Sequence, residues 1–219
     1  MPNRSERAVE GTGTVFVVED DAAVRRSLSL LLELHGYRSV EFGSAEDFLA
    51  AGAWQRPACA LVDIRLPGMS GLALQARMRG QDQSMPVLLM TAHGDASVAR
   101  TALLQGASDF LEKPIDEKEL LDAVLTALQC DGEQVARSRE HDALLARVGR
   151  LTRHEWELFE RITNGCSYRA IAEEFGLTLE AFEAQRARVM EKLEARRLAD
   201  LFRLRFRVGE HVLGRHAPL

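Results

Sequence analysis

The amino-acid sequence predicts a doubly wound α/β domain on a five-stranded parallel sheet, followed by a helical linker and a small all-α helix-turn-helix domain. Three observations predict this. Short apolar runs alternate with helical spacings five times through the first half. A charged helical pattern with few apolar positions follows, and the last third reads as short amphipathic helices, two of them joined by a three-residue turn containing glycine. The expected boundaries are 14–128 for the first domain, 129–150 for the linker and 151–208 for the second domain.

The apolar runs are Thr14–Val18, Ser39–Phe42, Ala58–Val62, Val87–Met90 and Phe110–Leu111, each too short for a helix. Helical spacing appears at Val24, Leu28, Leu31, Leu32 and His35, at Leu72, Leu74, Ala76 and Met78, and at Val98, Ala102 and Leu103. Strands separated by helices of about ten residues must run parallel, and the crossover rule puts helices on both faces of the sheet. Such a sheet carries its ligand site beyond the carboxyl ends of the strands, near the point where strand order reverses.

Composition is compatible with two folded domains: 219 residues, 46% hydrophobic and 28% charged. No stretch approaches the roughly 18 apolar residues of a membrane span, and Met1–Gly13 is polar rather than signal-like, so the protein is expected to be cytoplasmic with no membrane partner. Cys59, Cys130 and Cys166 lack metal-ligand spacing and are expected to be reduced structural thiols. The net charge of −5 is uneven: residues 1–130 hold 12 basic and 18 acidic side chains, and residues 131–219 hold 16 and 15. Only the second part suits a polyanion, and only weakly.

The strand ends are chemically distinctive. The first runs into Glu19, Asp20 and Asp21, the third into Asp63, the fourth into Thr91, and the fifth is followed by Lys113–Pro114. Any one of these could be a solvated loop residue. Acidic pair, then Asp, then Thr, then Lys-Pro, each after an apolar strand, is an ordered set that chance explains poorly. Carboxylates gathered at one sheet edge repel, and a hard divalent cation such as Mg²⁺ is the simplest means of keeping them ionised. With a lysine beside them, one carboxylate can accept a phosphoryl group. Pro67, Gly68 and Gly71 permit the sharp turn after Asp63, and Lys113–Pro114 is a candidate cis peptide that would aim the lysine inward.

The segments VVEDDAAVRRSL, LVDIRLPGMSG, LLMTAHGD and GASDFLEKP resemble the receiver domain of two-component response regulators over about residues 14–128. The resemblance implies that Asp63 is the phosphoacceptor, served by a sensor histidine kinase. It implies Mg²⁺ held by Asp20 and Asp63 directly, by Glu19 through water and by the backbone carbonyl of Arg65. Thr91 and Lys113 would contact the phosphoryl group, Phe110 would be the switch aromatic, and Asp21 would be peripheral. Arg65 and His93, two places after the phosphoacceptor and the threonine, would tune the lifetime of the acyl phosphate.

The last helix of the first domain repeats Leu120, Leu121, Val124, Leu125 and Leu128, and Cys130–Asp131–Gly132 predicts a helix end or kink. Glu133–Arg150 then carries only Val135, Leu144, Leu145 and Val148 as apolar positions, which fits a solvated spacer with some self-association or half of a coiled coil. Helices are expected at Glu155–Asn164, Tyr168–Phe175 and about Leu179–Ala195, with the turn at Gly176–Leu177–Thr178.

This last region is similar to the LuxR-type effector domain, at Leu151, Thr152, Glu155, Gly165, Ser167, Ile171, Ala172, Val189, Lys192 and Leu193, and the domain order is that of the NarL/FixJ type. The resemblance implies promoter DNA as partner, with Arg186, Arg188 and Lys192 on the recognition helix and Arg169 before it as DNA contacts. The recognition helix departs from the family pattern at Ala181, Phe182, Glu183, Ala184 and Gln185. Two readings therefore stand: a phosphorylation-gated transcription regulator, or a response regulator whose helical domain binds proteins. An enzyme acting on external phosphate esters lacks any substrate-pocket motif. Phosphorylation is expected to drive homodimerisation through Ala96–Gln105 and the Phe110 strand.

Overall fold

The computed structural model describes residues 13–52, 54–79, 85–92 and 106–208. Five strands, β1 (Thr14–Val18), β2 (Arg38–Phe42), β3 (Ala58–Asp63), β4 (Val87–Thr91) and β5 (Asp109–Glu112), pair in parallel in the order β2-β1-β3-β4-β5. They alternate with α1 (Ala22–Leu34), α2 (Ala45–Ala51) and α3 (Gly71–Arg79), and α4 (Glu117–Val148) follows β5. The helix expected around Val98, Ala102 and Leu103 lies outside the described residues, as do His93 and Ala96–Gln105.

Strands β1, β3 and β4 are buried at every position, which is why they read as unbroken apolar runs. Their side chains alternate between two cores. Phe16, Val18, Ala60, Val62 and Leu89 pack with Phe48 of α2 and with Leu74 and Met78 of α3. Val15, Val17, Cys59, Leu61, Leu88 and Met90 pack with Leu28 and Leu32 of α1 and with Leu120 and Val124 of α4. Val24 and Ala76, part of the expected stripes, are exposed instead. Helix α2 fills the one described βα unit for which no helical spacing stood out; Ser44 caps it by accepting from the Asp47 N–H at 3.1 Å, and Phe48 supplies its anchor.

Strand order reverses between β1 and β3, whose ends lie side by side with Val18 paired to Val62. A Cβ on Gly71 would stand 2.2 Å from the Asp63 carbonyl oxygen, so only glycine lets α3 begin against the end of β3. Gly68, at φ +75°, makes the intervening turn. Lys113–Pro114 is cis as expected, and Arg56–Pro57 is cis as well.

The helix end expected at Cys130–Asp131–Gly132 does not occur: α4 runs through it as one helix of 32 residues. Asp131 is fully buried, and its carboxylate accepts from the Arg56 guanidinium and, at 2.8 Å, from the Ala58 N–H. A carboxylate engaged by another element does not compete for its own helix backbone.

The chain forms two compact units, one through Ala136 and the other from Arg137. The second comprises the end of α4 with α5 (Arg153–Thr163), α6 (Tyr168–Glu174), α7 (Leu179–Lys192) and α8 (Leu198–Val208). Leu144 and Val148 belong to its core with Trp156, Phe159, Ile171, Phe182, Val189 and Leu201. Two positions of the thin stripe read as a spacer or coiled-coil seam are therefore core residues of this unit, whereas Leu145 is exposed and Val135 half-buried. Thr152 caps α5 in a reciprocal box with Glu155, while Ser167 and Thr178 cap α6 and α7.

All three cysteines are free, but only Cys59 is a core residue, its thiol pushed up to about 12 by burial; Cys130 and Cys166 are exposed, contrary to the structural role expected of them. No helix among the described residues is long and apolar enough to cross a membrane.

Candidate functional site

The sheet edge gathers the first site. Glu19 and Asp63 are both buried, Asp20 is exposed, and oxygens from the three carboxylates lie within 4.8 Å of one another. Lys113 Nζ donates to Glu19 Oε2 at 2.6 Å and to Asp63 Oδ2, while its backbone N–H donates to the Thr91 carbonyl at 2.7 Å. The Arg65 N–H donates to Asp63 Oδ1 at 2.7 Å. Thr91 ends β4, buried, one residue past the Met90 that pairs with Asp63. Phe110 pairs with Leu89 and is half-buried against the α2–α3 core. Asp21 stands apart as the cap of α1, accepting from the Ala23 and Val24 N–H groups.

The electrostatics are unbalanced toward negative charge. Burial pushes the Glu19 carboxyl above its usual 4.5; the Lys113 hydrogen bond pulls it back and the Asp63 charge adds to the rise. Burial works against the Lys113 ammonium, but its hydrogen bonds to Asp63 and Glu19 outweigh this and hold it above 10.5. One lysine among three carboxylates leaves an excess of oxygen donors, the donor set of a hard cation. Asp63, flanked by a backbone N–H and an ammonium, is placed to accept an electrophilic group.

The second site is the pair α6 and α7, joined through Phe175–Thr178 with Gly176 at φ +65°. Arg186 donates to Glu183 Oε2 at 2.5 and 2.9 Å and covers the Tyr168 ring at 5.5 Å. Lys192 Nζ donates to Glu155 Oε2 at 2.6 Å, tying α7 to α5. Arg169 is exposed beside Glu173 at 3.3 Å, and Arg188 is exposed. Gln185 Oε1 lies 2.9 Å from His154 Nε2. The four expected DNA contacts thus divide: Arg169 and Arg188 project to solvent, whereas Arg186 and Lys192 are engaged inside the domain.

A family model described as the response regulator receiver domain matches residues 15–125, and one described as bacterial regulatory proteins, luxR family, matches residues 149–204. The transcriptional regulatory protein FixJ of Bradyrhizobium diazoefficiens is 37% identical over 198 residues, 90% of this chain and 96% of that one. The chain belongs to the FixJ-type response regulators.

The regulator is also 33% identical, over 87% of its length and 98% of the other's, to the C4-dicarboxylate transport transcriptional regulatory protein DctR of Rhodobacter capsulatus. Among solved structures, response regulator StyR matches with a TM-score of 0.82 at 35% identity, over 88% of this chain and 97% of that one. Full-length FixJ from B. japonicum matches with 0.55 at 36%, over 91% and 98%. This response regulator is a two-component transcription regulator joining a receiver to a LuxR-type DNA-binding domain, and nothing in these matches favours the protein-interaction alternative.

Sequence reasoning missed some neighbours of the receiver site. Arg25 Nη1 donates to the Glu19 carbonyl at 2.6 Å and to the Asp20 carbonyl at 3.3 Å. Glu46 Oε1 accepts from the Met69 N–H at 2.9 Å and so braces the turn after Asp63. Arg25 had no signal beyond its place on an amphipathic helix and Glu46 had none, because a side chain that serves backbone groups leaves no chemical pattern in the sequence.

Proposed function

We propose that a sensor histidine kinase phosphorylates this regulator on Asp63, and that the phosphorylated form dimerises and binds promoter DNA in the cytoplasm. The observation that carries the reading is the Asp63 carboxylate, buried at the end of β3 between the Lys113 ammonium and the Arg65 N–H, with Glu19 and Asp20 alongside.

An Asp63 oxygen attacks the phosphorus of a phosphohistidine; the P–N bond breaks, a P–O bond forms, and the imidazole leaves with its electron pair and takes up a proton. Lys113 is placed to neutralise charge on the transferred group, and Thr91 to donate its hydroxyl to a phosphoryl oxygen. Glu19, Asp20, Asp63 and the backbone carbonyl of Arg65 are the residues to hold Mg²⁺, which when bound supplies further neutralisation of the phosphoryl oxygens. Phe110, half-buried on β5 next to β4, is the group to follow a movement of Thr91. Arg188, and Arg169 beside its exposed partner Glu173, supply cations for DNA phosphates, with Arg186 and Lys192 available only if they leave Glu183 and Glu155. Dimerisation makes the second half-site contact effectively intramolecular, worth roughly 10² or more in avidity.

Incubation with acetyl phosphate and Mg²⁺ should label Asp63 alone, and Asp63→Asn should abolish the label. Label retained on that variant, or a labelled protein that stays monomeric at tens of micromolar and gains no DNA affinity at a fixed salt concentration, contradicts the reading.

A further inference from the structure

The turn that carries the acidic pair is held by its main chain, and one cation does most of the holding. The Glu19 N–H donates to the Phe42 carbonyl of β2 at 3.1 Å, and the Asp21 N–H donates to Glu19 Oε1 at 3.3 Å. The carbonyls of Glu19 and Asp20 both point to Arg25 Nη1, at 2.6 and 3.3 Å. Arg25 Nε in turn lies 3.5 Å from Glu41 Oε2 of β2, and the arginine side chain is 19% exposed, so its direction is fixed. The Glu41 carboxyl is held below its usual 4.5 by a hydrogen bond from Arg26, which keeps an anion available to Arg25.

Glu19 has a side-chain partner of its own in Lys113. Asp20 does not: among the described residues its carboxylate accepts no hydrogen bond, and it is exposed. The direction in which Asp20 presents its oxygens therefore depends on the peptide units on either side, and those are what Arg25 grips. A planar guanidinium can bond both carbonyls and the Glu41 carboxylate together, which a single ammonium cannot.

We propose that Arg25 is a positioning residue of the acidic site: it fixes the Glu19–Asp20 backbone so that Asp20 converges with Glu19 and Asp63 on one cation. The inference rests on the reading of that cluster as a Mg²⁺ site. Partners that orient metal ligands without touching the metal commonly contribute 10- to 100-fold in affinity.

The test is calorimetric titration of Mg²⁺ into the unphosphorylated full-length protein, with melting temperature measured on the same samples. Arg25→Ala should weaken Mg²⁺ by about 10-fold or more. Arg25→Lys, which keeps the charge and loses the fork, should recover part of this, and Glu41→Gln should weaken it less than Arg25→Ala. Asp20→Ala marks complete loss of a ligand. A merely structural arginine predicts a lowered melting temperature with Mg²⁺ affinity within about twofold of wild type after Arg25→Ala, and that result overturns the inference while leaving the metal site standing. A flat titration of the wild-type protein overturns both.

Discussion

Each domain contains a glutamate whose Oε2 lies 2.6 Å from a lysine Nζ: Glu19 with Lys113 in the receiver, Glu155 with Lys192 in the DNA-binding domain. The two glutamates titrate in opposite directions. Burial dominates at Glu19, and the neighbouring Asp63 charge competes for the same ammonium, so its carboxyl is raised. At Glu155 burial also pushes upward, but the Lys192 hydrogen bond and the Thr152 backbone N–H overcome it, and the carboxyl is lowered. The distance is the same and the surroundings decide. The receiver keeps a charge problem that a ligand can resolve, whereas the LuxR-type domain uses the same pair as a finished tie between α5 and α7.

The largest expected effect comes from removing each lysine. Lys113→Ala leaves two buried carboxylates without their cation and should destabilise the receiver by about 3 kcal/mol at neutral pH. Lys192→Ala breaks a pair whose lysine is 36% exposed and should cost the second domain no more than about 1 kcal/mol. Trp54 lies in one unit and Trp156 in the other, so urea unfolding in Trp54→Phe and Trp156→Phe backgrounds reports each separately. Equal losses would erase the contrast.

Acid titration sharpens it. Glu19 has a raised folded pKa, so its contribution is complete below its unfolded value near 4.5 and is lost as pH rises through the folded value. Glu155 has a lowered one, so its contribution is complete above 4.5 and is lost as pH falls through the folded value. Without divalent cation, Glu19→Gln should therefore flatten a decline in receiver stability above pH 4.5, and Glu155→Gln should flatten a decline in the second domain below it. Unfolding midpoints of wild type and each Gln variant, measured from pH 3 to pH 7, read both effects; wild-type-minus-variant differences that change with pH in the same direction in the two domains would contradict the assignment.

The smallest effect concerns whether the second domain is relaxed throughout. Glu194 follows α7 at φ 55°, a left-handed conformation that costs an L-residue about 1 kcal/mol, and its ion pairs with Arg147 and Arg150 are long at 3.6 and 3.7 Å. Glu194→Gly should stabilise this domain by about 0.5 kcal/mol in the same urea assay. A loss of stability instead would show that the two arginines outweigh the backbone.

Much of the receiver was legible because its signals are local: an apolar run, then the acid, threonine or lysine that ends it. Asp63, Glu19, Asp20 and Lys113 meet as their strand ends predict. The continuity of α4 was not legible, since Asp131 finds Arg56 75 residues away and sequence spacing cannot show that the carboxylate is already engaged. Leu144 and Val148 read as a sparse stripe because their partners, including Phe159 and Leu201, belong to later helices. The engagement of Arg186 by Glu183 and of Lys192 by Glu155 was missed for a related reason: a recognition helix is judged by the cations it displays, and the count does not reveal which already have an anion.

The cysteines give this regulator an internal clock. Cys130 and Cys166 are open to reagent, whereas the Cys59 thiol sits inside the α1–α4 core and is pushed up to about 12. A thiol probe thus meets two exposed cysteines in the folded protein and a third only when the receiver opens. The delay before the third modification measures how often that domain breathes, without an introduced label.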